Sequence, residues 1–324
     1  MDTVNLGHSG LRVSRLALGT MIFGSQVDEG TAFTIMDRAF ELGIDFFDTA
    51  DVYPVPPSDQ TVGRCEEIIG RWLRSRGHPV TIATKCVNRV GPGRNDQGGS
   101  RKHVIEACEA SLRRLGRERV DIFYLHHGDL DAPMEETLEA LDQLVREGKV
   151  HYLGVSNFEA WQLGLALAVI AERRLTRISV VQPRYNLLHR VDERDLLPLC
   201  RATGIGVTPY NPLGAGMLTG KYRRGQEPPA GSRFAMGEYG RVYQRRYWDD
   251  RMFDVVETVT AVAREIEATP AQVALAWTLA QPGITAPIVG ASRPEQLEDN
   301  VGALRLQLSP DQLDRLARVS QPFV

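Results

Sequence analysis

Short apolar runs alternate with stretches of helical periodicity along the whole chain. The apolar runs predict strands at Leu16–Gly19, Ile44–Asp48, Val80–Lys85, Val120–His126, Tyr152–Ser156, Val180–Gln182, Gly206–Tyr210 and Ala286–Val289. Helices are predicted at Thr31–Leu42, Glu66–Arg74, His103–Leu115, Met134–Glu147, Glu159–Glu172, Asp192–Thr203, Phe253–Glu267, Pro270–Ala280 and Pro294–Leu304. Leu138, Leu141, Leu144 and Val145 show the spacing of one buried helix face. The strands are short and apolar at consecutive positions, as a parallel sheet covered by helices requires. Repeated β-α units point to such a sheet. Eight of them favour an α/β fold of the closed (β/α)8 TIM-barrel type over an open, doubly wound sheet. The expected architecture is one barrel domain over residues 1–324, with a short N-terminal hairpin and long loops at the C-terminal face.

The open alternative would carry GxGxxG after its first strand. Leu18-Gly19-Thr20-Met21-Ile22-Phe23-Gly24 does not fit that pattern. Two loops break the rhythm. One is glycine-rich, from Gly91 to Gly99. The other runs from about Tyr222 to Asp250 and carries Arg223, Arg224, Arg233, Arg241, Arg245 and Arg246. The glycines and prolines of the second loop argue against regular structure there before a ligand binds.

In a barrel of this kind the C-terminal strand ends line the active site. Asp48, Lys85 and His126 end the second, third and fourth predicted strands, and Tyr53 follows five residues after Asp48. Taken singly, each has a plainer role: a turn acid, a lysine reaching water, a packed ring. Their placement at three consecutive strand ends favours a common site. A phenol beside an ammonium is expected to lose its proton more readily, with Asp48 as counter-ion to Lys85. His126 would donate to a substrate oxygen, and the set would protonate a forming alkoxide.

The chain has 324 residues, 43% hydrophobic and 24% charged, the composition of a soluble globular protein. Its net charge of -3 gives no sign of nucleic-acid binding. No apolar run approaches the roughly 18 residues of a membrane span. The first residues lack the regions of a signal peptide. Cys65, Cys86, Cys108 and Cys200 are widely spaced and contain no CxxC, so reduced thiols in a cytoplasmic protein are expected. A reactive Cys86 beside Lys85 is the alternative. Adjacent His126 and His127 face opposite sides of a strand, and no HExxH occurs, so no metal site is expected.

The stretch Phe47-Asp48-Thr49-Ala50-Asp51-Val52-Tyr53 resembles the DTAxxY signature of the aldo-keto reductase superfamily. Asp121 to His126 with Asp129, and Gly148-Lys149-Val150 with Gly154-Val155-Ser156-Asn157-Phe158, resemble two further signatures. So do Gln182 with Tyr185-Asn186, Pro212-Leu213 with Gly216 and Leu218-Thr219-Gly220-Lys221, and Gly290-Ala291-Ser292 with Gln296 and Asn300. Ser100-Arg101-Lys102-His103 and Ser232-Arg233 are similar to the branch of bacterial general reductases and potassium-channel β subunits. The resemblance implies NADPH lying across the barrel mouth, and reduction of an aldehyde or ketone with Tyr53 as general acid. It implies that Ser156, Asn157 and Gln182 hold the carboxamide and that Tyr210 stacks on the nicotinamide. Pro212, Leu213, Gly216 and Lys221 would follow the pyrophosphate. Arg233, Gly290, Ser292, Arg293, Gln296 and Asn300 would surround the adenosine end, an arginine fork meeting the 2′-phosphate.

The chain departs from the family in two places. Pro54-Val55-Pro56-Pro57 follows Tyr53 where many members have glycine, and His127-Gly128 follows His126. Both bear on the substrate, for which sugar-like or other polar carbonyls fit the basic loop. Two rivals keep part of the pattern. A redox-sensing regulatory subunit would retain these residues with little turnover, and a Schiff-base aldolase would use Lys85 without a nicotinamide.

Overall fold

The computed structural model describes residues 1–129 and 131–324, apart from the Tyr239 side chain. Strands β1 (Thr3–Asn5) and β2 (Arg12–Ser14) pair as an antiparallel hairpin. Eight parallel strands follow: β3 (Ala17–Gly19), β4 (Phe46–Asp48), β5 (Thr81–Cys86), β6 (Val120–Leu125), β7 (Val150–Ser156), β8 (Ile178–Gln182), β9 (Gly206–Val207) and β10 (Ile288–Gly290). They pair in chain order, with β10 beside β3. Parallel bridges Val207–Ile284 and Tyr210–Ile288 join the two edges and close the (β/α)8 barrel.

The helices are α1 (Glu29–Glu41), α2 (Arg64–Arg76), α3 (Arg101–Leu115), α4 (Met134–Arg146), α5 (Ala160–Arg173), α6 (Leu196–Thr203), α7 (Gly237–Tyr247), α8 (Asp250–Glu265), α9 (Pro270–Ala280), α10 (Pro294–Gly302) and α11 (Pro310–Val319). Local chemistry sets their starts. Asp28 accepts from Thr31 N at 2.9 Å to cap α1. A reciprocal Thr269–Gln272 pair, with Pro270 in the first turn, starts α9. No helix among the described residues is long and apolar enough to cross a membrane.

Strand alternation divides the core in two. Phe46, Ala83, Ile122, Tyr124 and Val180 pack inside the barrel, where Leu6 and Val13 of the hairpin segment join them. Phe47, Ile82, Phe123, Leu125 and Val181 face outward into the helix layer. This parity places the site. Two residues beyond Phe46 comes Asp48, two beyond Ala83 comes Lys85, two beyond Tyr124 comes His126, and two beyond Val180 comes Gln182.

The structure corrects the expectation of irregular backbone from Tyr222 to Asp250. The segment holds a 3-10 turn at Arg233–Ala235 and then α7. The reason is aromatic packing: Phe234 lies 4.5 Å from Tyr222 and 5.4 Å from Trp248 between ring centroids, and Trp248 packs edge-on against Phe253 at 5.3 Å. These contacts tie down both ends of a run that contains good helix formers. Helix α11 was also not predicted, although Ser309 and Gln312 form a capping box with Pro310 inside it. The helix expected from Asp192 begins at Leu196, because Asp195 accepts from Leu196 N and the preceding turn, Val191–Glu193, is 3-10.

Candidate functional site

Asp48, Tyr53, Lys85 and His126 meet at the C-terminal mouth of the barrel. Lys85 is wholly buried, and its Nζ donates to Asp48 Oδ2 at 2.6 Å and to the Thr49 carbonyl at 2.7 Å. Gln182 Nε2 donates to the other oxygen, Oδ1, at 2.8 Å. The lysine ammonium sits 5.1 Å from the centre of the Tyr53 ring and 6.0 Å from that of Tyr124. The Tyr53 and His126 rings meet edge to face at 5.7 Å.

Electrostatics at this cluster differ from the expectation in one respect. Burial, then the Asp48 carboxylate, raise Tyr53 well above an ordinary phenol. The Lys85 charge was expected to lower it, but that charge is largely matched by Asp48 at contact distance. Burial lowers Lys85, and Asp48 opposes the shift. Burial and then the Lys85 charge hold His126 well below the usual imidazole range. A neutral imidazole has one N–H to donate. His127 is exposed, its Nδ1 beside the Gly128 carbonyl at 2.9 Å. Cys86 is buried and its thiol is raised well above normal, which makes it a poor nucleophile.

The expected cofactor residues form two groups. In the first, Ser156 Oγ donates to the Gln182 carbonyl at 2.8 Å. Asn157 has a left-handed backbone (φ 53), donates from Nδ2 to the His126 carbonyl at 2.8 Å and accepts from Tyr210 OH at 2.8 Å. These residues, with Gln182, ring one side of the mouth. The second group lies after β9 and β10. Pro212 and Leu213 lead into a tight loop in which Gly214, Ala215 and Gly216 all have positive φ. A Cβ on Gly216 would come 3.0 Å from Lys221 Nζ, so this glycine leaves room for the ammonium. Partial burial, then Arg233 and Arg293, lower Lys221. Lys221 thus lies in the field of two arginines, one over the Tyr243 ring and one 3.8 Å from Glu295, beside a backbone loop of positive φ, a setting that suits an anionic group. Ser292 N donates to Gln296 Oε1 at 2.8 Å, Asn300 is buried, and Gly290 ends β10.

Sequence reasoning gave no role to several groups found here. Asp51 is fully buried, and neither of its carboxyl oxygens has a hydrogen-bond partner among the described residues. Burial, then the Glu66 carboxylate, push it well above an ordinary acid. Glu66 is itself buried, bonded to Thr84 Oγ1 at 2.5 Å and to Arg114 Nε at 2.6 Å. Tyr124 OH meets Thr208 Oγ1 at 3.1 Å across the barrel. A Cβ on Gly154 would come 2.4 Å from the Tyr124 ring, so the glycine makes space for it. That GVSN glycine was the available signal for Tyr124.

A model of the aldo/keto reductase family matches residues 15–321. A protein of Arabidopsis thaliana named "Probable voltage-gated potassium channel subunit beta" is 38% identical, covering 99% of this chain and 97% of that protein. "Uncharacterized oxidoreductase YrpG" of Bacillus subtilis is also 38% identical, over 98% of this chain and 95% of its own. "L-glyceraldehyde 3-phosphate reductase" of Escherichia coli O157:H7 is 36% identical, over 96% and 90%. The chain belongs to the aldo/keto reductase family.

Proposed function

We propose that the protein reduces an aldehyde or ketone to the alcohol with NADPH, and that Tyr53 supplies the proton. One observation carries this reading: a buried Lys85–Asp48–Gln182 chain lies beneath Tyr53, with a neutral His126 against the ring. NADPH, when bound, supplies the hydride. The residues of the chain do the rest. His126 donates to the carbonyl oxygen and orients it. Tyr53 keeps its proton at neutral pH, since its pKa is raised. An alkoxide is far more basic than a phenol, so the proton moves only once the alkoxide forms. The resulting phenolate lies beside the Lys85 ammonium, which stabilises it.

Ser156, Asn157 and Gln182 would hold the carboxamide, with Tyr210 against the nicotinamide. Pro212, Leu213, Gly216 and Lys221 would line the pyrophosphate, and Arg233, Gly290, Ser292, Arg293, Gln296 and Asn300 the adenosine end. The positive field of Arg233 and Arg293 on Lys221 supports a cofactor with a third phosphate. The relative named as a glyceraldehyde phosphate reductase supports a small polar carbonyl. Buried free cysteines favour a reducing compartment, the cytoplasm.

The relatives named as channel β subunits motivate a second reading, a cofactor-binding regulatory subunit with little turnover. A panel of aldehydes and ketones, with NADPH oxidation and alcohol formation followed together, separates the two. Sustained turnover with one alcohol per NADPH is expected. A single turnover followed by arrest on every carbonyl would favour the regulatory subunit.

A further inference from the structure

A second chemistry sits at the rim of the barrel mouth. The alternation that turns Val180 and Gln182 inward continues past β8, because Arg184 bridges Tyr210 in parallel register. Arg184 therefore rises on the same side as Gln182, whose amide touches Asp48. It is half-buried, and its Nη2 lies 3.0 Å from Nδ1 and 3.2 Å from Nε2 of His189. Burial first, then Arg184 and Arg246, push His189 down to about 4. A neutral imidazole can accept a hydrogen bond but brings no negative charge.

Arg246 comes from α7. Its neighbour Tyr247 anchors that helix, for Tyr247 is buried and its OH accepts from Asn211 Nδ2 at 2.9 Å. Arg184 and Arg246 both bear on the ionisation of Tyr210 and of Tyr247. The bonds that Asn211 and Asn186 donate to Tyr247 OH hold this end of the helix beside the barrel mouth. Among the described residues, neither guanidinium forms an ion pair with a carboxylate. One acid in this neighbourhood is Asp192, pushed up to about 6 by burial and Asp195 against the pull of Arg184. It offsets one of the two charges at most.

We propose that Arg184 and Arg246 form an anion clamp that selects carbonyl compounds bearing a carboxylate or a phosphate beyond the reacting carbon. The proposal rests on the reading of this site as a carbonyl reductase. A guanidinium fork fits either oxyanion, and one shared anion relieves the repulsion between two neighbouring cations.

The test compares para-carboxybenzaldehyde and para-formylphenyl phosphate with the methyl ester of the former, which keeps the shape and loses the charge. With saturating NADPH, kcat/KM for at least one anion is expected to exceed that for the ester by about tenfold. Comparing the two anions shows which oxyanion the clamp prefers. In Arg184→Gln and Arg246→Gln the ratio falls toward one, chiefly through KM, and added salt lowers it in the wild type. Arg184→Lys keeps the charge and retains part of the ratio. A wild-type ratio near one for both anions, or a ratio unmoved by salt and by both substitutions, overturns the clamp. Calorimetry with para-toluate and phenyl phosphate on the NADP-bound protein reads the clamp without turnover. Anion binding that the variants lose, with no aldehyde reduced, would keep the clamp and sink the reductase. Reduction without anion preference would do the reverse.

Discussion

The Lys85 ammonium donates to Asp48 Oδ2 at 2.6 Å, and the lysine has no exposed surface at all. A buried pair of this kind depends on both members. Removing one leaves the other as an uncompensated charge, a loss of roughly 3–5 kcal/mol. Lys85→Met is expected to destabilise the fold by about that much and to abolish turnover. Asp48→Asn is expected to be milder, because a carboxamide oxygen can still accept from Lys85. Urea denaturation of the two variants and of the double variant gives the coupling. Strictly additive losses would show that the pair does not act as a unit.

Tyr53→Phe is expected to lower carbonyl reduction by about 10²–10⁴-fold, the usual worth of a general acid. NADPH affinity, measured by fluorescence quenching, should stay close to wild type. Turnover near the wild-type rate in the Phe variant would remove Tyr53 from its assigned role.

His126 is held neutral, well below its ordinary pKa, and Tyr53 is held protonated, well above its own. Neither group should then change charge between about pH 6 and pH 8, where an ordinary histidine would. The kcat/KM profile is expected to show no limb belonging to His126 in that window. A limb near an ordinary imidazole pKa that disappears in His126→Gln would contradict the assignment.

Asp51 offers a test through stability. Its folded-state pKa is raised, so the folded protein keeps a proton that the unfolded chain releases above about pH 4. Stability linked to Asp51 is therefore complete below that pH and falls as the pH rises toward the folded pKa. Asp51→Asn carries no such penalty. Its stability relative to wild type should increase with pH from about 4 to 8, as read from urea midpoints. A difference that stays flat across that range would mean the carboxyl is ionised and paired in solution.

Much of the fold and of the proposed catalytic cluster was legible because both follow from period-two alternation. Once Phe46, Ala83, Tyr124 and Val180 are inside the barrel, Asp48, Lys85, His126 and Gln182 must be too. Other features depend on contacts between distant parts of the chain. Helix α7 owes its position to Phe234, Trp248 and Tyr247 packing on the barrel, which a local reading of Gly225, Pro228 and Gly240 could not weigh. Asp51 carries no signal of its own in the sequence. Only the fold shows its N–H bonded to the Lys85 carbonyl at 3.1 Å and its side chain enclosed. The direction of the Tyr53 shift departs from expectation for a related reason: Lys85 and its counter-ion Asp48 are visible in the sequence, but the burial of the phenol, the larger influence, is not.

The closure of the barrel has a mechanical consequence. Strands β9 and β10 meet through two isolated bridges, whereas β5 and β6 pair over four consecutive residues. This is one of the lighter seams of the cylinder. The Pro212–Lys221 loop leaves one side of that seam, and the Gly290–Asn300 segment leaves the other. A dinucleotide held by both would act as a clasp across the joint, fastening two staves that the backbone ties only loosely. Ligand that binds only the closed form stabilises it by mass action. Amide exchange at Val207, Thr285 and Ile288 should therefore slow on addition of NADPH more than exchange at Thr84 or Phe123, deep within the well-paired wall.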